Sequence, residues 1–230
     1  MKTQMNTILL MIPGAALAAF MMNAARATDS VDLVVQVTAV TGACTPSLDT
    51  PVINLGVIPY NTLNATAPTA LPEKKVLLTV NCTSPMAVGW TLTDNRTDSV
   101  AQLPVTLSGR QYSGTALAGL GKTPAGIPLG NWAISTGTEA AVQHDGTTGI
   151  AITSTDGGTT WRSAAGTPAD VSFAGNLLTS VTDATTAPPV PFTTGTFSLS
   201  MGAVIAPRNT LNLTDDTLLD GSATFTLVYL

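Results

Sequence analysis

Apolar and polar residues alternate along much of this chain with the period of two that a half-buried strand requires. Residues 31–40, Val31-Asp32-Leu33-Val34-Val35-Gln36-Val37-Thr38-Ala39-Val40, are β-branched and partly alternating, and residues 75–82 form a second run of the same kind. A third run covers residues 86–93, set off from the second by the turn-like Thr83-Ser84-Pro85. Two long runs close the chain. In the first, Phe197, Leu199, Met201, Ala203 and Ile205 share one face, opposite Ser198, Ser200 and Gly202. A polar turn around Asp215-Asp216 and a break at Gly221 lead to the second, where Ala223, Phe225, Leu227 and Tyr229 lie on one face. Helix-period patterns are nearly absent. Strands at this spacing, with turn signals between them, predict an all-β antiparallel sandwich.

Between these ends, residues 94–191 are rich in Gly, Thr and Asp. Short strands are expected at residues 131–135, 149–154 and 159–163. Asp156-Gly157-Gly158 marks a hairpin between the last two, because Asp and Gly tolerate the positive φ of tight turns. Residues 182–191, with Pro188, Pro189 and Pro191, read as an exposed connection.

The first residues read as an address rather than as structure. Lys2, an apolar stretch over residues 8–22 broken by Pro13-Gly14, and the small residues of Ala25-Arg26-Ala27 fit a cleaved secretory signal over residues 1–27. The apolar stretch is too short and broken for a span, which needs about 20 residues. A single exported domain over residues 28–230, with no membrane span in its mature form, is therefore expected. Removing Lys2 and Arg26 leaves seven basic residues against 14 acidic ones, a net charge of −7. Acidity of this kind argues against a nucleic-acid partner and offers no polybasic patch to anionic lipid. Charged residues are only 10% of the chain, so its surface is hydroxyl-rich rather than ion-rich.

Two cysteines, Cys44 and Cys82, are an even count in an exported chain and predict one disulfide. A zinc site would need two further ligands, and the only histidine, His144, has no partner spacing, so neither metal nor cofactor is expected. Gly119-Leu120-Gly121-Lys122-Thr123 ends like a phosphate-binding loop, but Ala116 stands where the pattern needs glycine, which makes it an ordinary loop. The stretch from Ser154 to Trp161 resembles the Asp-box of sialidase-like propellers, in which the box is a folded hairpin away from the chemistry. One box in a chain this short reads as a structural hairpin, with Asp156 bonding turn amides. His144 has no acid or nucleophile near it in sequence and reads as a solvated side chain. Asp94, Glu139, Asp156 and Asp170 are the carboxylates from which a glycosidase pair would have to be drawn, and no spacing joins any two of them. No enzymatic activity is expected.

Taken together, the signal-like start, the alternating segment before Cys44, the second cysteine Cys82 and an alternating last strand with the penultimate Tyr229 resemble chaperone–usher pilins. A closer resemblance, over essentially residues 28–230, is to a proteobacterial family of exported, fimbria-like proteins of unassigned function. It rests on Ser30-Val31-Asp32-Leu33, Ala70-Leu71-Pro72-Glu73-Lys74, Gly119-Leu120-Gly121-Lys122-Thr123, Asp156-Gly157-Gly158-Thr159-Thr160-Trp161 and Leu219-Asp220-Gly221-Ser222-Ala223-Thr224.

The pilin resemblance implies an immunoglobulin-like sandwich lacking its last strand, with an apolar groove along one edge. It further implies a periplasmic chaperone and an usher as partners, strand donation between copies of the chain or related subunits, and a place in a cell-surface fimbrium. On that implication Val31, Leu33, Val35 and Val37 belong to the donated segment, and Ala223, Phe225, Leu227 and Tyr229 line the groove and meet the chaperone. Only 16 residues separate the expected cleavage site from Cys44, and the middle of the chain is long for a pilin. Two other readings therefore stand beside the first. One is a self-complemented secreted or tip-located adhesin that binds a host glycan through loops in residues 94–191, where Trp132 and Trp161 would make contact. The other is an exported glycan hydrolase.

Overall fold

Strand formation follows the alternation wherever the chain is described. The computed structural model describes residues 42–136, 142–164, 171–185, 188–213 and 215–230. In chain order the strands are β1 (Cys44–Leu48), β2 (Thr69–Ala70), β3 (Lys74–Met86), β4 (Val88–Asp94), β5 (Val105–Leu107), β6 (Arg110–Tyr112), β7 (Ala118–Gly119) and β8 (Gly130–Thr136). They continue as β9 (Val142–His144), β10 (Thr147–Thr148), β11 (Ile150–Ser154), β12 (Arg162–Ser163), β13 (Leu178–Thr182), β14 (Phe192–Ile205) and β15 (Ala223–Tyr229), with one helical turn, α1 (Arg208–Leu211), before the last. The expected signal over residues 1–27 and the alternating segment with Val31, Leu33, Val35 and Val37 lie outside the described residues. Contacts divide the chain after Ala39, and every described element falls in the unit Val40–Leu230.

Two antiparallel sheets form the sandwich. One has the order β1-β3-β14-β8-β7, with β2, β9 and β10 attached alongside; the other runs β12-β11-β13-β4-β15. Their facing side chains make the main core, which includes Leu78, Val80, Trp90, Leu92, Ile134, Val181, Phe192, Phe197 and Leu199. Trp90 is 1% exposed and meets the edges of both Phe197 and Phe225, at centroid distances of 5.8 and 5.4 Å. The all-β antiparallel sandwich expected from the sequence is the fold observed.

Several local expectations need correction. The chain does not turn at Thr83-Ser84-Pro85. β3 runs through them to Met86, and the break comes at Ala87, where the chain passes from one sheet to the other. The proline is accommodated because the β3–β14 register shifts there: Asn81 faces Thr194 while Met86 faces Phe192. A strand over residues 159–163 shrinks to Arg162–Ser163. The reason lies in Asp156, whose carboxylate accepts from the Thr159 and Thr160 amides and the Thr160 hydroxyl, while the Ser154 hydroxyl accepts from the Gly158 amide. These bonds hold the hairpin tip as a loop and keep the Asp156 carboxyl well below its usual range, first through the Thr160 hydroxyl and then its amide.

Elsewhere two-residue turns do the work. Ser108-Gly109 joins β5 to β6 and Asp145-Gly146 joins β9 to β10, all four residues having positive φ. The β5–β6 hairpin lies on the outer face of the first sheet. There Val105, Leu107 and Tyr112 join Val204 in a second core, and a Cβ on Gly202 would come within 2.5 Å of Leu107.

Candidate functional site

The last strand, β15, pairs with β4 from Ala223↔Asp94 to Tyr229↔Val88 and, among the described residues, with nothing on its other side. Main-chain bonds from the Leu230 amide to the Ala87 carbonyl and from the Asn95 amide to the Ser222 carbonyl extend the same register. In an antiparallel ladder hydrogen-bonded and non-bonded pairs alternate. Even-numbered residues of β15 therefore bond β4, while Ala223, Phe225, Leu227 and Tyr229 aim their N–H and C=O groups at the free edge. The same four residues carry the inward-facing side chains. Ala223, Phe225 and Leu227 pack against the main core yet stay only half-buried, whereas Trp90 and Leu92 on the neighbouring strand are fully covered. Among the described residues the inner layer is complete up to β4 and incomplete at β15.

Across the gap stands β1, the edge of the other sheet, paired among the described residues only with β3. The sequence hid this strand, because Thr45-Pro46-Ser47 reads as a turn. The Cys44–Cys82 disulfide is formed, and the two residues face each other directly across the β1–β3 ladder with their Cα atoms 4.0 Å apart. It pins the first residue of β1 to a neighbouring strand, and a disulfide suits an oxidising compartment outside the cytoplasm. Pro46, Ser47, Leu48 and Pro51 on this side, and Ala223, Thr224 and Phe225 on the other, line an open and mostly apolar cleft of about 360 Å³ with Leu78 at its base. At the upper end the Cys44 amide donates to the Tyr229 hydroxyl over 2.9 Å, so the penultimate residue joins the two walls. Tyr229 remains 52% exposed.

The other candidate side chains that are described make structural contacts. Asp94 is buried, and its carboxylate accepts from the Arg96 and Gly119 amides, fixing the loop after β4 against β7. Asp156 is committed to its turn, and Glu139 and Asp170 lie outside the described residues. His144 is not a lone solvated side chain: its Nε2 lies 2.6 Å from the Asp183 carboxylate. The fold brings together residues 39 positions apart, which local sequence does not reveal. Trp132 packs edge-on against Phe173, with its N–H donated to the Gly119 carbonyl. The Trp161 N–H is donated to the Gly158 carbonyl within its own hairpin. Lys122, in the phosphate-loop-like stretch, pairs with Asp98 at 2.9 Å and holds that carboxyl below its usual range. Among the described residues no cluster of three or more His, Cys, Asp or Glu is placed to hold a metal ion, and no helix is long and apolar enough to cross a membrane.

Comparison with known proteins gives three results. The profile of a family described as "Protein of unknown function (DUF1120)" matches residues 33–133. The uncharacterized protein YhcF of Escherichia coli (strain K12) is 30% identical over 247 residues, covering 98% of this chain and all of that protein. Among solved structures, the P pilus rod subunit PapA is similar at 14% identity, covering 81% of this chain and 99% of that one, with a TM-score of 0.36. A chain from a chaperone–usher pilus is similar at 13% identity, covering 88% and 97%, with a TM-score of 0.33. At scores this low the likeness of shape is loose.

Proposed function

The chain belongs to the DUF1120 family, whose description leaves function open, and from its own surface we propose that it is a structural subunit of a bacterial surface fibre that accepts a β-strand from another chain. The observation that carries this reading is the groove between β1 and β15. Among the described residues, a sandwich that stops with three inward apolar side chains half-buried and a row of main-chain groups unpaired is one strand short. An edge of that kind in an exported protein invites uncontrolled pairing unless something fills it. Strand addition fills it with both kinds of complementarity: main-chain bonds supply affinity, and alternate side chains fill the half-empty inner layer.

On this reading the first occupant is a periplasmic chaperone and the later one a segment of the next subunit, delivered through an usher to the cell surface. The protein is a building component and not an enzyme. The test is expression in a periplasm with and without a cognate pilus chaperone. The expected result is a soluble one-to-one complex with the chaperone and degraded or aggregated protein without it. A stable monomer made without help, with slowly exchanging amides at Ala223, Phe225 and Leu227, would overturn the proposal and favour a free-standing secreted module.

A further inference from the structure

The two walls of the groove are unequal as templates. In the β1–β3 ladder the Thr83 amide bonds the Ala43 carbonyl and the Asp49 amide bonds the Leu77 carbonyl, which places the hydrogen-bonded pairs at odd-numbered residues. Cys44, Pro46 and Leu48 therefore turn their main-chain groups toward the groove. Of these, Pro46 has no N–H to offer. The Cys44 N–H is already given to the Tyr229 hydroxyl. Leu48 is left as the one strand residue on this wall with a donor for a ladder. Opposite, β15 presents four donor–acceptor positions in succession, at Ala223, Phe225, Leu227 and Tyr229, with no proline among them.

We propose that Pro46 and Tyr229 make β15 the principal main-chain template of the groove, so that an extended segment from residues 28–40 of a second copy takes its continuous ladder from β15 and finds on β1 only one strand N–H, that of Leu48. This rests on the strand-addition reading above and adds which wall recognises the occupant's backbone. Proline and capped donors on an edge strand are means by which sheets refuse pairing. Here they act on one wall of a site whose other wall accepts it. Two consequences follow from the geometry. The Tyr229 ring spans the upper end, so the occupant's ladder runs downward from it toward Ala223. An occupant tied along one flank leaves by breaking one row of bonds, which suits a site whose first occupant must be exchanged for a second.

The probe is a synthetic peptide with the sequence of residues 28–40, added to the full chain, with amide hydrogen exchange read at single residues. Binding is expected to protect the Ala223, Phe225 and Leu227 amides and to protect Leu48 clearly less. Pro46→Ala installs a donor on β1, so the new amide at that position and the amide of Leu48 should gain protection. Peptide release should then slow by roughly 2- to 12-fold, the worth of one added hydrogen bond. Tyr229→Phe frees the Cys44 amide, which should then become protected on binding. Protection of Leu48 equal to that of Phe225 in the unaltered protein, or a Pro46→Ala release rate identical to the original, would overturn the inference while leaving strand addition standing. Ala223, Phe225 and Leu227 amides that are already slow without peptide and do not respond to it would instead remove strand addition itself, and this inference with it.

Discussion

β14 and β15 carry the same sequence pattern and meet the same indole, yet their inner faces end differently. Phe197 on β14 and Phe225 on β15 both turn an edge toward Trp90, at 5.8 and 5.4 Å. Phe197 is fully buried, and so is Leu199 two residues on; Phe225 and Leu227 are only half-covered. Neighbours account for the difference. β14 has β3 on one side and on the other first β9, with Phe197 facing Val142, and then β8, with Leu199 facing Thr136, while among the described residues β15 has β4 on one side and the groove on the other. Alternation thus reports which side chains face inward. Whether the layer above them is finished depends on how many strands the chain supplies.

The largest expected effect tests that contrast at its covered end. Phe197→Ala removes a fully buried ring and should cost about 3–5 kcal/mol in denaturant unfolding. Replacing both Cys44 and Cys82 by alanine should cost about 2–5 kcal/mol in the same measurement, because β1 loses its covalent tie to β3. Phe225→Ala removes the same ring from the uncovered end and should cost about half as much as Phe197→Ala, in keeping with its partial burial. Equal costs at the two phenylalanines would mean that the isolated protein already covers β15, and the groove would be closed.

Much of the fold was legible because strand alternation is a local property. The last two strands, the β3 run and the Asp156 turn all follow from side-chain period or turn chemistry within a few residues. The site was legible on one side only. Ala223, Phe225 and Leu227 announce an inward face, but β1 is written as Thr45-Pro46-Ser47 and looks like a turn until Cys82 holds it against β3. Pro46 disguised the strand for the reason that makes it useful there: a proline belongs on an edge. The pairing of His144 with Asp183 and the contact of Tyr229 with Cys44 span 39 and 185 positions, beyond any local rule. The hairpins at Ser108-Gly109 and Asp145-Gly146 were available signals, since residues of this kind at a two-residue turn favour tight connections.

The smallest effect concerns how the two strands begin. β14 is tied down at its start by Asp145, whose carboxylate accepts from the Thr193 hydroxyl at 2.6 Å, the Thr193 amide at 3.0 Å and the Thr194 amide at 2.8 Å. These donors, the Thr193 hydroxyl foremost and then the Thr194 amide, hold the carboxyl below the ordinary aspartate value of 3.8. A carboxyl with a lowered folded-state pKa stabilises fully above its unfolded value, and that contribution is lost as pH falls through the folded one. Exchange protection at the Thr193 and Thr194 amides should therefore hold above about pH 4 and weaken below it. The measurement is residue-resolved exchange across that window. In Asp145→Asn the acid-dependent step should vanish, because the group that takes up the proton is gone. An unchanged acid response in that variant would show that the start of β14 is not held by Asp145, and that the two strands differ only in their flanking neighbours.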